Sequence, residues 1–310
     1  MPTWAGPWPR LFPPKGTLRG RAGALLALGS LLGGILGAFY VLRVEPRWIE
    51  VTTPTLYLAD LPAPLEGLTI AQLSDLHAGL GSREAVRALV QRVNALQPDI
   101  VVLTGDYVRD RRRDAGPIAE ELGALRPRLG AYAVLGNHDV WQGAEGITAH
   151  LEGAGIRVLR DEAVRVPLGE AGLWLIGLDD LGISGWGDRS LSLGDLAAIW
   201  RPQVARLDGL LRRMPPGEPR ILLVHNPDFN EFLATQRLDL ALSGHTHGGQ
   251  VRLPWIGAPV MPSVMGQKYA GGWAQGGAAP VYVSRGVGAN INVRLNARPE
   301  VTLLTLRRRE

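Results

Sequence analysis

Five short apolar runs in this chain each stop at residues able to hold a metal ion, and this narrows its folding choices more than any other feature. Residues 68–74 are closed by Asp75-Leu-His77, 100–104 by Gly105-Asp106, and 131–135 by Gly136-Asn-His-Asp139. Residues 221–224 are followed by His225, and 238–242 by Ser-Gly-His245-Thr-His247. Runs this short and continuously apolar read as strands covered on both faces. A helical stripe, Val86, Leu89, Val90, Val93 and Leu96, separates the first two, with Ser82 as its expected cap and Pro98 as its stop. Further helices are expected near 117–125, 144–153, 195–213 and 229–235, and further strands near 156–166, 173–178, 250–253, 280–284 and 300–306. Alternation early and β-rich sequence late predict an α/β fold, a layered α/β/β/α sandwich of two mixed sheets flanked by helices.

Strand ends along one edge of such a sheet are where ligands bind. Of the six histidines only His150 lies away from a run end, on a helix. His245 and His247 are two apart, so in an extended segment they leave the same face. Each residue has a plainer role open to it. Asp75 and Asp106 suit turns, Asn137 suits a left-handed position after Gly136, and His225 suits a satisfied core. The convergence of all of them favours metal chemistry. With no cysteine in the chain, the donors are imidazole, carboxylate, amide and water, which suit Mn, Fe or Zn.

The net charge of +4 is unevenly spread: residues 1–47 carry six Lys/Arg and one acid, and the remainder nets −1. A near-neutral body lacks the basic face of a nucleic-acid binder, so no nucleic-acid partner is expected. Residues 22–42 are uncharged and long enough to cross a bilayer. With basic residues ahead of the span, the expected topology is single-pass in the cell membrane, with 1–21 a cytoplasmic tail and the catalytic part outside. A cleaved signal peptide competes, but the apolar stretch is long for one and no Ala-x-Ala site follows it. Residues 43–64 read as linker or edge strand and 65–310 as one catalytic domain.

Asp75-Leu-His77, Gly105-Asp-Tyr107, Gly136-Asn-His-Asp139, His225-Asn-Pro-Asp228 and Gly244-His-Thr-His-Gly-Gly-Gln250 occur in this order. The series resembles the calcineurin-like metallophosphoesterases, over about residues 68–306, and Ser284-Arg-Gly-Val-Gly288 resembles their membrane-anchored bacterial branch. Some members of that branch act on phospholipid head groups or on the pyrophosphate of UDP-2,3-diacylglucosamine. The resemblance implies two divalent ions that share Asp106. One is held by Asp75, His77, Asp106 and His247, the other by Asp106, Asn137, His225 and His245. It implies hydrolysis of a phosphodiester or pyrophosphate by hydroxide generated between the ions. It makes His138 the group that stabilises the transition state or protonates the leaving oxygen, oriented by Asp139. A tethered metal-binding scaffold without turnover and a nuclease are the competing readings.

Three further residues are candidate substrate contacts. Arg109, followed by Arg111, Arg112 and Arg113, suits an anionic head group, though a solvated loop fits as well. Trp186 sits in the Gly-rich stretch 179–187, and Trp255 in the apolar stretch 251–261 directly after the ligand pair. That stretch reads as a buried hairpin or, beside a membrane tether, as a surface for acyl chains.

Overall fold

Each apolar run becomes a strand because alternate side chains enter two different cores. In the computed structural model, which describes residues 15–77, 83–109, 115–184, 191–289 and 291–309, the chain opens with α1 (Lys15–Phe39). There follow β1 (Glu50–Thr52), β2 (Thr55–Leu58), β3 (Thr69–Leu73), α2 (Arg83–Ala95), β4 (Ile100–Thr104) and α3 (Gly116–Leu122). Next come β5 (Ala131–Val134), α4 (Asn137–Gly153), β6 (Arg157–Val158), β7 (Glu162–Leu168), β8 (Ala171–Gly177) and α5 (Leu193–Leu211). The last strands are β9 (Arg220–Leu223), β10 (Leu240–Ser243), β11 (Gly272–Gln275), β12 (Pro280–Val283) and β13 (Glu300–Arg308).

One sheet has the order β1-β13-β3-β4-β5-β6 with β2 also on β13, and the other β11-β12-β10-β9-β8-β7. Both are mixed. The β3–β6 ladder is parallel while β13 runs against β3, and β8, β9, β10 and β12 are parallel between antiparallel edges. Along β4, Ile100 and Val102 join the inter-sheet core with Ile221, Leu223, Leu240 and Leu242. Val101 and Leu103 face α2, α3 and α4 instead. On the second sheet Leu222 and Ala241 pack outward against Leu196, Trp200 and Leu207 of α5. The layers are therefore helix, sheet, sheet, helix, as the sequence predicts.

Within residues 43–64, β1 and β2 pair in parallel with β13. The strand expected near 250–253 is reduced to single bridges, Val251 to Leu295 and Leu253 to Gly257. Pro254 follows Leu253 and Pro259 lies two residues beyond Gly257, and a proline cannot donate to a ladder. The helix expected near 229–235 is a 3-10 turn at Pro227–Phe232. Asn226 caps it, and Asp228 accepts from Ser263 Oγ and the Val264 amide. The helix expected from 144 begins at Asn137, with a break at Gly143.

The uncharged segment 22–42 lies in α1 and the π-helical turn Tyr40–Val44 that continues it, with its leucines exposed. Its end is tied to the body: Val41 O accepts from the Arg294 amide at 3.1 Å, and Glu45 Oε1 from the Ala297 amide at 2.9 Å.

Candidate metal centre

The parallel strands of both sheets end on the same side, so the polar residues that follow them meet. The chain must turn sharply there. Asp75, His77, Asp106, His245 and His247 all have positive φ, between 51° and 73°. Left-handed backbone at a non-glycine residue costs about 1–3 kcal/mol and clusters where function requires it. Glycines make room for the turns: a Cβ on Gly105 would lie 2.6 Å from the Gly136 amide, and one on Gly244 would overlap Ser74 and Asp75.

The result is two groups of donors. In the first, His77 Nε2 and His247 Nε2 are 3.0 Å apart, and Asp75 Oδ1 lies 3.4 Å from the latter. In the second, His245 Nδ1 is 3.0 Å from Asn137 Oδ1. His225 donates from Nδ1 to the Thr104 carbonyl at 2.6 Å, which turns its Nε2 inward. Asp106 stands between the groups, its Oδ2 3.4 Å from His77 Nε2 and 3.2 Å from His225 Nε2. All seven side chains expected to bind metal are buried together. The combination His77, Asp106 and His138 is also close enough to chelate, which draws in the histidine expected to stay off the metal.

Buried ring nitrogens normally find hydrogen bonds. Here His77 Nδ1, His225 Nε2, His245 Nε2 and His247 Nδ1 have none. Each such orphan costs about 1–3 kcal/mol. Of these, His225 Nε2 faces Asp106; a cation there, and another at the His77 and His247 Nε2 atoms that face each other at 3.0 Å, would separate the crowded ring nitrogens and balance Asp75 and Asp106, so the residues fit divalent metal. Burial opposes charge on Asp75, but His247 and His77 hold its pKa well below the usual carboxylate range. Asp106 is likewise buried yet lowered, chiefly by His225, and it raises His225 in return. Burial drives His245 and His247 down to about 4 and about 3, so at neutral pH both rings are neutral and offer lone pairs.

His138 lies on the first turn of α4, its amide donating to Asp106 Oδ1 at 3.0 Å and its Nδ1 to the Arg109 carbonyl at 3.2 Å. Burial lowers its pKa. Asp139 has a different job from the one expected. Its described hydrogen bonds are all to backbone amides, Asp106 at 2.7 Å, Gly136 at 2.9 Å, and Tyr107 and Val108 at 2.9 and 3.4 Å. It locks the loop after β4 to the loop after β5 rather than the imidazole, because its place at N3 of α4 points it at unpaired amides.

Asp106, Asn137, His138, His245 and His247 floor a cavity of about 790 Å3 whose outer wall is apolar, with Val251, Pro259, Val260, Pro262, Ile291 and Val293. The exposed side chain of Arg109 is not part of that wall, though its carbonyl holds His138. Trp255 does not line it either and stands fully exposed at a hairpin tip beyond it. Trp186, Arg111, Arg112 and Arg113 lie outside the described residues.

One residue was missed from sequence. Arg294, fully buried, donates to the carbonyls of His247, Arg285, Ala297, Gly286 and Gly288 at 2.5–3.3 Å, bracing the loops that carry His247 and face Asp75. A cation set between Val293 and Leu295 was its only signal.

A family model described as calcineurin-like phosphoesterase matches residues 68–249. The chain is 34% identical to "Phosphodiesterase YaeI" of Escherichia coli, over 91% of this chain and 97% of that protein. It is 31% identical to "Transmembrane protein with metallophosphoesterase domain" of Danio rerio, over 90% of this chain and 62% of that protein. It is 26% identical to "UDP-2,3-diacylglucosamine pyrophosphatase LpxG" of Chlamydia muridarum, over 91% and 97%.

Proposed function

The chain belongs to the calcineurin-like phosphoesterases, and on that footing we propose that it is a membrane-anchored, two-metal hydrolase of a phosphodiester or pyrophosphate in a lipid-linked substrate. The observation that carries this is Asp106 Oδ2, placed within 3.4 Å of ring nitrogens from both donor groups. Asp75, His77, Asp106 and His247 would hold one cation, and Asp106, Asn137, His225 and His245 the other. The two ions, of the Mn, Fe or Zn class, would supply Lewis acidity to the phosphoryl oxygens and acidify a water. His138 keeps a proton on Nδ1 through the Arg109 carbonyl, so its Nε2 would first accept the proton that the attacking water gives up and then, as imidazolium, pass that proton to the departing oxygen. The amino end of α4 adds its dipole toward the phosphoryl charge. Its position is kept by Asp139, which ties Gly136 to Asp106.

A polar floor and an apolar wall suit a substrate with a phosphate at one end and hydrocarbon at the other, as in the substrate named for the Chlamydia relative. The exposed segment 22–42 would be the anchor, with the basic residues ahead of it cytoplasmic and one catalytic domain, residues 65–310, outside. Full-length protein, stripped with chelator and reloaded with Mn, Fe, Zn or Co, should hydrolyse bis-p-nitrophenyl phosphate, and Asp106→Ala should not. Vesicles carrying a phospholipid or UDP-2,3-diacylglucosamine then distinguish the substrates. Tight metal binding with no turnover on any of them would instead favour a tethered scaffold.

A further inference from the structure

Single exposed apolar side chains are ordinary on a protein surface, but a cluster of them beside a cavity mouth marks a contact. Here Trp255 is 103% exposed and Ile256 67%, in the same stretch as the cavity-lining Val260, and Val260 and the cavity-lining Ile291 are 45% and 64% exposed. The stretch 253–261 carries no charge. Its tip is held in place: Leu253 and Gly257 exchange backbone hydrogen bonds of 2.8 and 3.0 Å. The Gln267 side chain accepts from the Ala258 amide and donates to its carbonyl. Trp255 has φ 64°, a costly conformation for a bulky residue, and no packing inside the domain accounts for it.

The root of this hairpin is joined to the segment that receives the end of the apolar helix. Gln250 Nε2 donates to the Ile291 and Val293 carbonyls at 2.6 and 3.0 Å, and Val251 pairs with Leu295. From the other side, Arg294 and Asn292 bond the carbonyls of Val41 and Leu42, where the uncharged segment ends. Trp255 is four residues from Val251, at most about 14 Å along an extended chain. The end of a spanning helix lies at the bilayer boundary, the level at which tryptophan is favoured.

We propose that the 253–261 hairpin, with Ile291 beside it, inserts into the lipid headgroup boundary where α1 emerges and seats the cavity mouth on the membrane surface. This rests on α1 spanning a bilayer but not on metal binding or turnover. Because the chain has no cysteine, single reporters can be placed at will. Full-length Trp255→Cys, with Ile256→Cys as a second tip reporter should the first misfold, is labelled with a polarity-sensitive fluorophore. It is reconstituted in phosphatidylethanolamine–phosphatidylglycerol vesicles with or without brominated acyl chains. Leu31→Cys in α1 reports insertion, and Tyr57→Cys, exposed on β2 at the far end of the first sheet, reports the aqueous side.

The expected result is blue-shifted, bromine-quenched emission at the tip and at Leu31, with neither at Tyr57. Quenching at Leu31 with a tip label that behaves like Tyr57 overturns the hairpin's insertion. An unquenched Leu31 overturns it one step earlier, at the anchor. A tip label shifted without bromine quenching, and only at high protein density, assigns the lip to a second copy of the chain and likewise overturns it.

Discussion

Two glycines with the same backbone angle allow the crowding at the metal centre to be measured. Gly105 and Gly217 both have φ +92°, but only the first has neighbours. A Cβ at 105 would lie 2.6 Å from the Gly136 amide nitrogen and 2.8 Å from both Gly136 Cα and His225 Nδ1, whereas one at 217 would meet nothing within 4 Å. Alanine at either site bears the left-handed penalty, about 1–2 kcal/mol. At 105 the contacts fall short of a 3.5–4.0 Å optimum by about 1 Å. Two of the three are against backbone, so they cannot be relieved by a rotamer change. Overpacking of this kind adds about 1–3 kcal/mol, or roughly 2–12 °C in thermal midpoint beyond the loss in Gly217→Ala. Because Gly105 precedes Asp106 and touches His225, the same shift should cost turnover about 100-fold, the penalty of misplacing reacting groups by about 1 Å. Gly217 precedes β9 at the end away from the centre, so Gly217→Ala should keep its turnover. Calorimetry of the two variants in detergent, with parallel metal-loaded assays, checks both. Equal losses of midpoint, with turnover intact in Gly105→Ala, would refute the steric account.

Burial raises Asp180 to about 6 against an ordinary 3.8. Ionising it therefore costs stability: the favourable part is complete below about pH 3.8 and is lost as pH rises through 6. Asp180→Asn in chelator-treated protein should be more stable by at most about 3 kcal/mol above pH 6, with the gap closing toward pH 4 in denaturant titrations. Replacing Arg294 with Met removes donors from five carbonyls and, at about 1 kcal/mol net each, should cost roughly 3–5 kcal/mol. It should also weaken Mn²⁺ binding measured by calorimetry, since His247 loses its brace, and Arg294→Lys, with one ammonium in place of a planar fork, should recover only part of both.

Much of this architecture is legible in the chain because burial on two faces leaves a local mark. Ile100 to Thr104 is apolar throughout, since alternate residues enter the inter-sheet core and the helix-side core, and Gly105-Asp106 marks its end. The uncharged segment 22–42 is legible for a different reason: length and composition alone mark a helix long and apolar enough to cross a membrane. Asp139 was misjudged because its carboxylate is claimed by amides of a loop some thirty residues away, and no spacing encodes which orphan amides a turn will present. Arg294 was invisible because its partners are backbone carbonyls, which every residue type carries.

By itself the sequence determined the strands, the donors at their ends and the apolar helix, all features written into a window of a few residues. Only the tertiary structure decided that Asp75 meets the His245 amide 170 residues on, that Asp106 falls between two donor groups, and that the apolar helix ends beside the cavity mouth. Those placements follow from how two sheets stack and in what register their edges align. That is fixed by side-chain volumes drawn from the whole chain at once, so no single stretch carries it.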